Sequence, residues 1–315
     1  MTACATACAA LLVLGVAGLT AFAGFMTRRA QAAVPPLGKF ADIDGSRIHY
    51  VDVGRGPAIV MIHGLGGTLG SFTYALVDIL KDRFRLIALD RPGSGYSTRP
   101  DDCATVTHQA NVVARFIAAK GLERPVVVGH SLGGAIALAL ALNHPEQVGA
   151  LALLAPLTHL PDSIPEPFSG LAIHSPLLRR LIAWTLALPF ALGTREASLR
   201  RLFGPDPAPV DFPTRGGGML GLRPRSFYSM STDLMALTGD LGSFDGRYEQ
   251  IRIPVGILYG SADRILDPKL QATPLRDKIP GLQLEVIEGG GHMMPITAPG
   301  RSADFIERQA ARITR

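Results

Sequence analysis

Short, continuous apolar runs alternate along most of this chain with stretches of helical length and spacing. Residues 58–62, 84–89, 126–128 and 148–154 have strand length, and residues 71–81, 105–120 and 132–143 read as helices between them. Strands that are apolar at nearly every position and alternate with helices imply a mostly parallel sheet covered on both faces, an α/β architecture. Residues 39–44 and 47–52 instead alternate at period two around the turn signal Asp44-Gly45, which predicts an antiparallel hairpin ahead of that sheet. The alternation stops near Pro156 and resumes with strands at 253–259 and 283–287 and helices at 268–278 and 303–313. The stretch between, 157–247, is rich in proline, carries Gly216-Gly217-Gly218 and shows helical pieces around 177–188 and 229–237, so it reads as a cap inserted into the sheet domain.

The front of the chain follows a different pattern. Residues 3–26 contain no charged residue, and as a helix they would reach ~36 Å against a hydrocarbon core of ~30 Å. That predicts a transmembrane segment. A cleaved secretory signal is the rival, since Ala30-Gln31-Ala32 resembles a cleavage site and Val34-Pro35-Pro36 would make a linker. No Lys or Arg precedes the run, however, and it exceeds the ~7 to 15 residues of a signal core. The expectation is therefore a single-pass membrane anchor. Arg28 and Arg29 would keep the rest of the chain on the cytoplasmic face by the positive-inside rule, whereas cleavage would release a secreted or periplasmic protein. The expected organisation is a segment 1–33, a first core part 34–156, a cap 157–247 and a second core part 248–315.

Composition narrows the function classes. A chain of 315 residues accommodates one α/β unit with an insertion. Charged residues make up 18%, below the roughly 25% of an average soluble chain, and the apolar N-terminal run accounts for part of that deficit. The net charge of +5 is spread along the chain without a run of like charges, which argues against nucleic acid as a partner. Cys4 and Cys8 lie in the apolar run and Cys103 stands alone, so no disulfide framework is legible. No zinc-type His/Cys cluster, phosphate-binding loop or flavin fingerprint occurs, so neither metal nor cofactor is expected. No internal repeat appears.

The chemistry-bearing motif is Gly129-His130-Ser131-Leu132-Gly133, which fits G-x-S-x-G directly after an apolar strand and at the start of an apolar helix. A tight strand-to-helix turn exposes the serine hydroxyl, glycines at both ends avoid clashes in so sharp a bend, and the helix N-terminus favours a developing negative charge. With this motif stand His63-Gly64-Leu65-Gly66-Gly67 after the third strand and Asp90-Arg91-Pro92-Gly93-Ser94-Gly95 after the fourth. Gly260-Ser261-Ala262-Asp263 follows the first strand after the cap, and Gly291-His292 follows the last strand. In these motifs and their order, residues 40–315 resemble the α/β-hydrolase family, in its serine-nucleophile, capped, esterase- or lipase-like branch. The resemblance implies Ser131 as nucleophile, Asp263 as acid, His292 as base and an oxyanion hole from the backbone N–H groups of Leu65 and Leu132.

Residue chemistry agrees with those roles. A serine hydroxyl needs a base of pKa near ~6.5 within reach, which histidine supplies. Among the eight histidines, His292 follows a late strand in the loop Gly289-Gly290-Gly291, which permits close approach to the turn at Ser131. His49, His108, His144, His159 and His174 read as surface or packing residues, His130 as a neighbour pointing elsewhere, and His63 as a shaper of the oxyanion turn. Asp263 sits just past a strand end, where a carboxylate can fix the imidazole. Asp162 is the rival acid, Asp267 reads as the cap of the helix begun by Pro268, and Asp90 as the carboxylate that orders Arg91-Pro92-Gly93.

Serine rather than aspartate at the elbow points to an acyl-enzyme. The expected activity is hydrolysis of carboxylic esters of lipophilic acyl groups, with a small-molecule ester or other acyl substrate and the membrane as partners. The alternatives on the same residues are a carbon-carbon bond hydrolase, an amidase or a cofactor-free perhydrolase; a non-catalytic ligand-binding member of the fold is a further one. Residues 181–192 carry no charge, and a helix apolar on nearly every side must bury most of its surface. It is therefore expected to pack over Ser131, with Trp184 contacting the substrate.

Overall fold

The computed structural model describes residues 2–100, 103–161 and 163–313. Eight strands form one sheet: β1 (Lys39–Ile43), β2 (Ser46–Val53), β3 (Ala58–Ile62), β4 (Arg85–Leu89), β5 (Val126–His130), β6 (Ala150–Leu154), β7 (Val255–Gly260) and β8 (Gln283–Ile287). They lie in the order β1-β2-β4-β3-β5-β6-β7-β8. β2 runs antiparallel to β1 and β4, and all other pairings are parallel. Asp44 and Gly45 have φ of 49° and 74°, the paired left-handed conformation that suits a two-residue hairpin. β5 and β6 are buried at every position, which is why the sequence there reads as unbroken apolar runs.

Seven longer helices accompany the sheet: α1 (Thr2–Ala33), α2 (Val106–Ala119), α3 (Leu132–Asn143), α4 (Pro176–Trp184), α5 (Ala187–Phe203), α6 (Pro224–Asp240) and α7 (Pro299–Ala310). α3 is buried from Leu132 through Leu142 against α2 and β5, so its sequence shows no polar face. The helix expected over 71–81 is two pieces, Gly70–Thr73 and Leu76–Leu80, interrupted at Ala75 with φ −150°. The one expected over 268–278 is also divided, into Pro268–Gln271 and Thr273–Lys278, because Pro274 has no N–H to continue the first piece. Asp267 caps the first piece, its Oδ1 accepting from the Lys269 N–H at 2.8 Å.

Between β6 and β7 run α4, α5, α6 and shorter helical turns. The apolar stretch 181–192 departs from expectation twice. It is broken at Thr185, so that α4 and α5 meet at 74°. Several of its large side chains also point outward, with Leu181 54%, Trp184 43%, Leu186 58% and Phe190 64% exposed, while Ala183, Ala187 and Leu188 are buried. The inward face of α4 is taken by buried Arg179, whose guanidinium donates to Ser231 Oγ (2.9 Å), Thr232 Oγ1 (2.8 Å) and Ile173 O (2.7 Å). An arginine so fully hydrogen-bonded shares the interior face with Ala183, and the leucines and tryptophan of α4 face away.

α1 is a candidate membrane span by length and composition. Residues 4–18 are exposed, whereas Ala23 and Ala30 are buried. The second half of α1 packs on the turn Gly218–Leu222 and on α4.

Candidate active site

Ser131 sits between β5 and α3 with φ 54° and ψ −121°, a conformation an L-residue adopts only under constraint. The constraint is visible in the neighbouring bonds. Its N–H donates to Leu154 O (3.0 Å), and its carbonyl accepts from Gly134 N–H (2.8 Å) and Leu157 N–H (2.9 Å), pinning the turn to β6 and the segment after it. Glycine is required on both sides: a Cβ on Gly133 would lie 2.0 Å from Ile62 O, and one on Gly129 would lie 2.5 Å from Gly133 O. These are backbone contacts, so no side-chain motion relieves them.

The loop 63–67 lies against the serine, since a Cβ on Gly64 would come within 2.9 Å of Ser131 Cβ. Among the described residues, the N–H groups of Leu65 and Leu132 have no hydrogen-bond acceptor within the protein. Two unused donors thus stand in the segments that flank the hydroxyl.

The loop after β8 carries His292, 2% exposed, and its Nδ1 lies 2.7 Å from Asp263 Oδ2. Asp263 Oδ1 accepts from the N–H groups of Ile265 (2.8 Å) and Leu266 (3.0 Å). Burial pushes the Asp263 carboxyl upward, but His292 and those two N–H groups outweigh it and hold it below the ordinary carboxylate value. An ionised carboxylate accepts from Nδ1–H, which leaves Nε2 of the ring as an acceptor. Neither that Nε2 nor Ser131 Oγ hydrogen-bonds to a protein group among the described residues, each other included.

His130 has a part the sequence did not reveal. Its ring lies 5.0 Å from that of His292, and its Nε2 lies 3.0 Å from the His292 carbonyl oxygen. Burial, and then the neighbouring His292, push its pKa down to about 3. The ring is therefore neutral, and because a carbonyl can only accept, Nε2 carries the proton and tethers the His292 backbone. His63 is equally constrained: burial, then Arg91, push it down to about 4. Its Nδ1 donates to Gly64 O (2.8 Å) while Nε2 accepts from the Arg91 N–H (3.0 Å).

Arg91 links this loop to the inserted segment. Fully buried, it donates to Asp233 Oδ2 on α6 (2.9 Å), to Gln109 Oε1 (2.6 Å) and to Gly64 O (3.2 Å). Asp233 Oδ1 accepts from Arg99 as well. The one sequence signal for this clamp is that Asp233 is the sole charged residue within 229–237. Asp90 does more than order its own turn: it accepts from the Leu69 N–H (2.8 Å) and the Tyr96 N–H (2.8 Å) and pairs with buried His49 (2.7 Å).

A cavity of about 660 Å³ is lined by Leu171, Leu188, Phe190, Phe227, Met230 and Arg264 among others. Met230 Sδ would lie 2.7 Å from a Cβ on Gly66, so the cavity wall touches the loop that carries Leu65, and Arg264 adjoins Asp263. Trp184 is not brought to Ser131. It lines a cleft of about 330 Å³ with Arg99, Pro224 and Tyr228, which shares Ala183 with the larger cavity; neither lining includes Ser131 or His292. Asp162, the rival acid, lies outside the described residues.

The profile of the alpha/beta hydrolase fold family matches residues 57–216. An uncharacterised protein of Mycobacterium tuberculosis is 31% identical over 288 residues, covering 89% of this chain and 83% of its own. The dihydrolipoyllysine-residue acetyltransferase component of the acetoin cleaving system of Cupriavidus necator is 42% identical over 120 residues, 38% of this chain, and the match spans 32% of that protein's length. A solved membrane phospholipase A, described as a bacterial virulence factor, shares the fold with a TM-score of 0.72 and 24% identity over 99% of both chains. The chain belongs to the alpha/beta hydrolase fold family.

Proposed function

We propose that this hydrolase is a serine esterase acting through an acyl-enzyme, with Ser131 as nucleophile, His292 as general base and Asp263 as the carboxylate that orients it. Ser131 Oγ attacks the ester carbonyl carbon and its proton passes to His292 Nε2. The charge that develops on the carbonyl oxygen is taken by the N–H groups of Leu65 and Leu132. Collapse breaks the ester bond, and the alcohol leaves with the proton from His292. Water then attacks the acyl-enzyme, gives a proton to His292, and the carboxylic acid departs as Ser131 recovers its proton. The observation that carries this reading is the 2.7 Å bond between His292 Nδ1 and a carboxylate itself held by two N–H groups, beside a serine forced to φ 54°.

Residues 157–247 act as a cap on the core formed by 34–156 and 248–315, and α1 anchors the enzyme in a membrane. Leu171, Leu188, Phe227 and Met230 in the lining, and the contact of Met230 with the Gly66 turn, support the larger cavity as the site for a lipophilic acyl chain. Each buried methylene is worth ~0.8 kcal/mol, close to fourfold. Across p-nitrophenyl esters from acetyl to hexanoyl, kcat/KM therefore rises with chain length, and Ser131→Ala removes turnover of all of them. A steady fall from acetyl upward overturns the substrate class; turnover that survives in Ser131→Ala overturns the mechanism.

A further inference from the structure

Several large apolar residues of α4 and α5 stand exposed at the surface. Leu177 is 80% exposed and Leu181 54%, Trp184 and Leu186 follow at the bend, and Phe190 continues the surface onto α5. Residues 177, 181 and 184 share one stripe of α4 by helical spacing. Together α4 and α5 are apolar enough to pass as a broken membrane span, yet each is too short to cross a bilayer.

The geometry of α1 identifies what covers this surface. Its freely exposed part, residues 4–18, reaches only ~22 Å at 1.5 Å per residue, against ~30 Å of hydrocarbon. To span the bilayer, α1 must bring about five further residues into it, and those residues, from Leu19 through Ala23, belong to the half that packs on Gly218–Leu222 and α4. The face of the inserted segment beside α1 is thereby drawn ~8 Å below the hydrocarbon boundary, the depth at which interfacial helices lie. Arg28 and Arg29, exposed on α1, then stand about one turn or more beyond that boundary, at the level of the lipid headgroups.

We infer that the corner between α4 and α5 is a second membrane contact, with Leu177, Leu181, Trp184, Leu186 and Phe190 seated among the acyl chains of the leaflet that α1 leaves. It rests on α1 crossing the membrane and does not depend on the chemistry at Ser131. Trp184 is thus a lipid contact rather than a substrate contact.

Trp184 is the single tryptophan of the chain, so its fluorescence reports this corner alone. The full chain is reconstituted into phosphatidylcholine vesicles with and without lipids brominated along the acyl chain, and co-flotation is measured on the same samples. The expected result is a blue-shifted emission, loss of fluorescence on brominated lipid, and protection from aqueous iodide. The double variant Leu181→Asp, Leu186→Asp should still float, through α1, while regaining iodide quenching and losing bromine quenching. Trp184 in floated wild-type protein that is quenched by iodide and untouched by bromine overturns the inference. A full chain that fails to float overturns it as well, because α1 then does not span.

Discussion

Replacing Asp233 by Asn removes one charge and almost no volume, and it does so between two arginines. The Asp233 side chain is 1% exposed, and those of Arg91 and Arg99 are 0% and 5%. The amide still offers one acceptor, but two guanidinium groups then face each other without the carboxylate that paired them, Asp90 being left as the carboxylate acting on Arg91. Burial and the neighbouring Arg99 already act against the charged form of Arg91, so little screening is available. Breaking a buried pair on one side costs about 3–5 kcal/mol, and at roughly 2–4 °C per kcal/mol for a domain of this size Tm falls by about 6–20 °C. Because Arg91 also donates to Gly64 O and supports His63, the Leu65 N–H loses its placement and kcat falls too. The ceiling is the ~10²–10³ expected for one lost oxyanion donor. The assay is thermal unfolding by circular dichroism together with kcat on a fixed ester at a temperature where both proteins are folded. Asp240→Asn serves as control: on the same helix it accepts from the N–H groups of Val106 and Thr107 at the start of α2. It should cost ~1 kcal/mol and leave kcat unchanged. An Asp233→Asn protein with the Tm and kcat of the wild type refutes the clamp.

Two further outcomes are expected. Asp263→Asn should lower kcat by up to ~10⁴ while KM changes little, since the amide favours the wrong His292 tautomer; wild-type kcat in this variant would remove Asp263 from the mechanism. Stability should decline as pH falls below 6.5, because His63 and His130 are pushed down from 6.5 to about 4 and about 3 in the folded protein. Both are neutral when folded and protonated when unfolded in that window, so the unfolded chain gains protons and each histidine costs on the order of 2 kcal/mol by pH 5. A Tm equal at pH 7.5 and pH 5 contradicts that burial.

What the sequence disclosed and what it withheld follow from the range of the forces involved. The parallel sheet, the hairpin at Asp44-Gly45 and the elbow at Ser131 are local patterns, written in apolar runs, turn residues and glycines whose Cβ atoms would strike backbone. The apolar run of α1 was equally legible. The outward turn of α4 was not, because it depends on Arg179 reaching Ser231 and Thr232 on α6, far along the chain. His130 lies next to Ser131 in sequence, but its hydrogen bond to the His292 carbonyl joins the end of β5 to the loop after β8, which only the folded sheet brings together. The Arg91–Asp233 pair is another contact of long sequence separation, and no local pattern marks it in the sequence.

Ser131, in its strained turn beside the His292–Asp263 pair, is proposed as the nucleophile. Incubation with a fluorophosphonate, followed by intact-mass and peptide analysis, tests it directly. One adduct per chain is expected, located on Ser131, absent from Ser131→Ala and slowed in His292→Gln. An adduct on another residue, or labelling undiminished in Ser131→Ala, contradicts it.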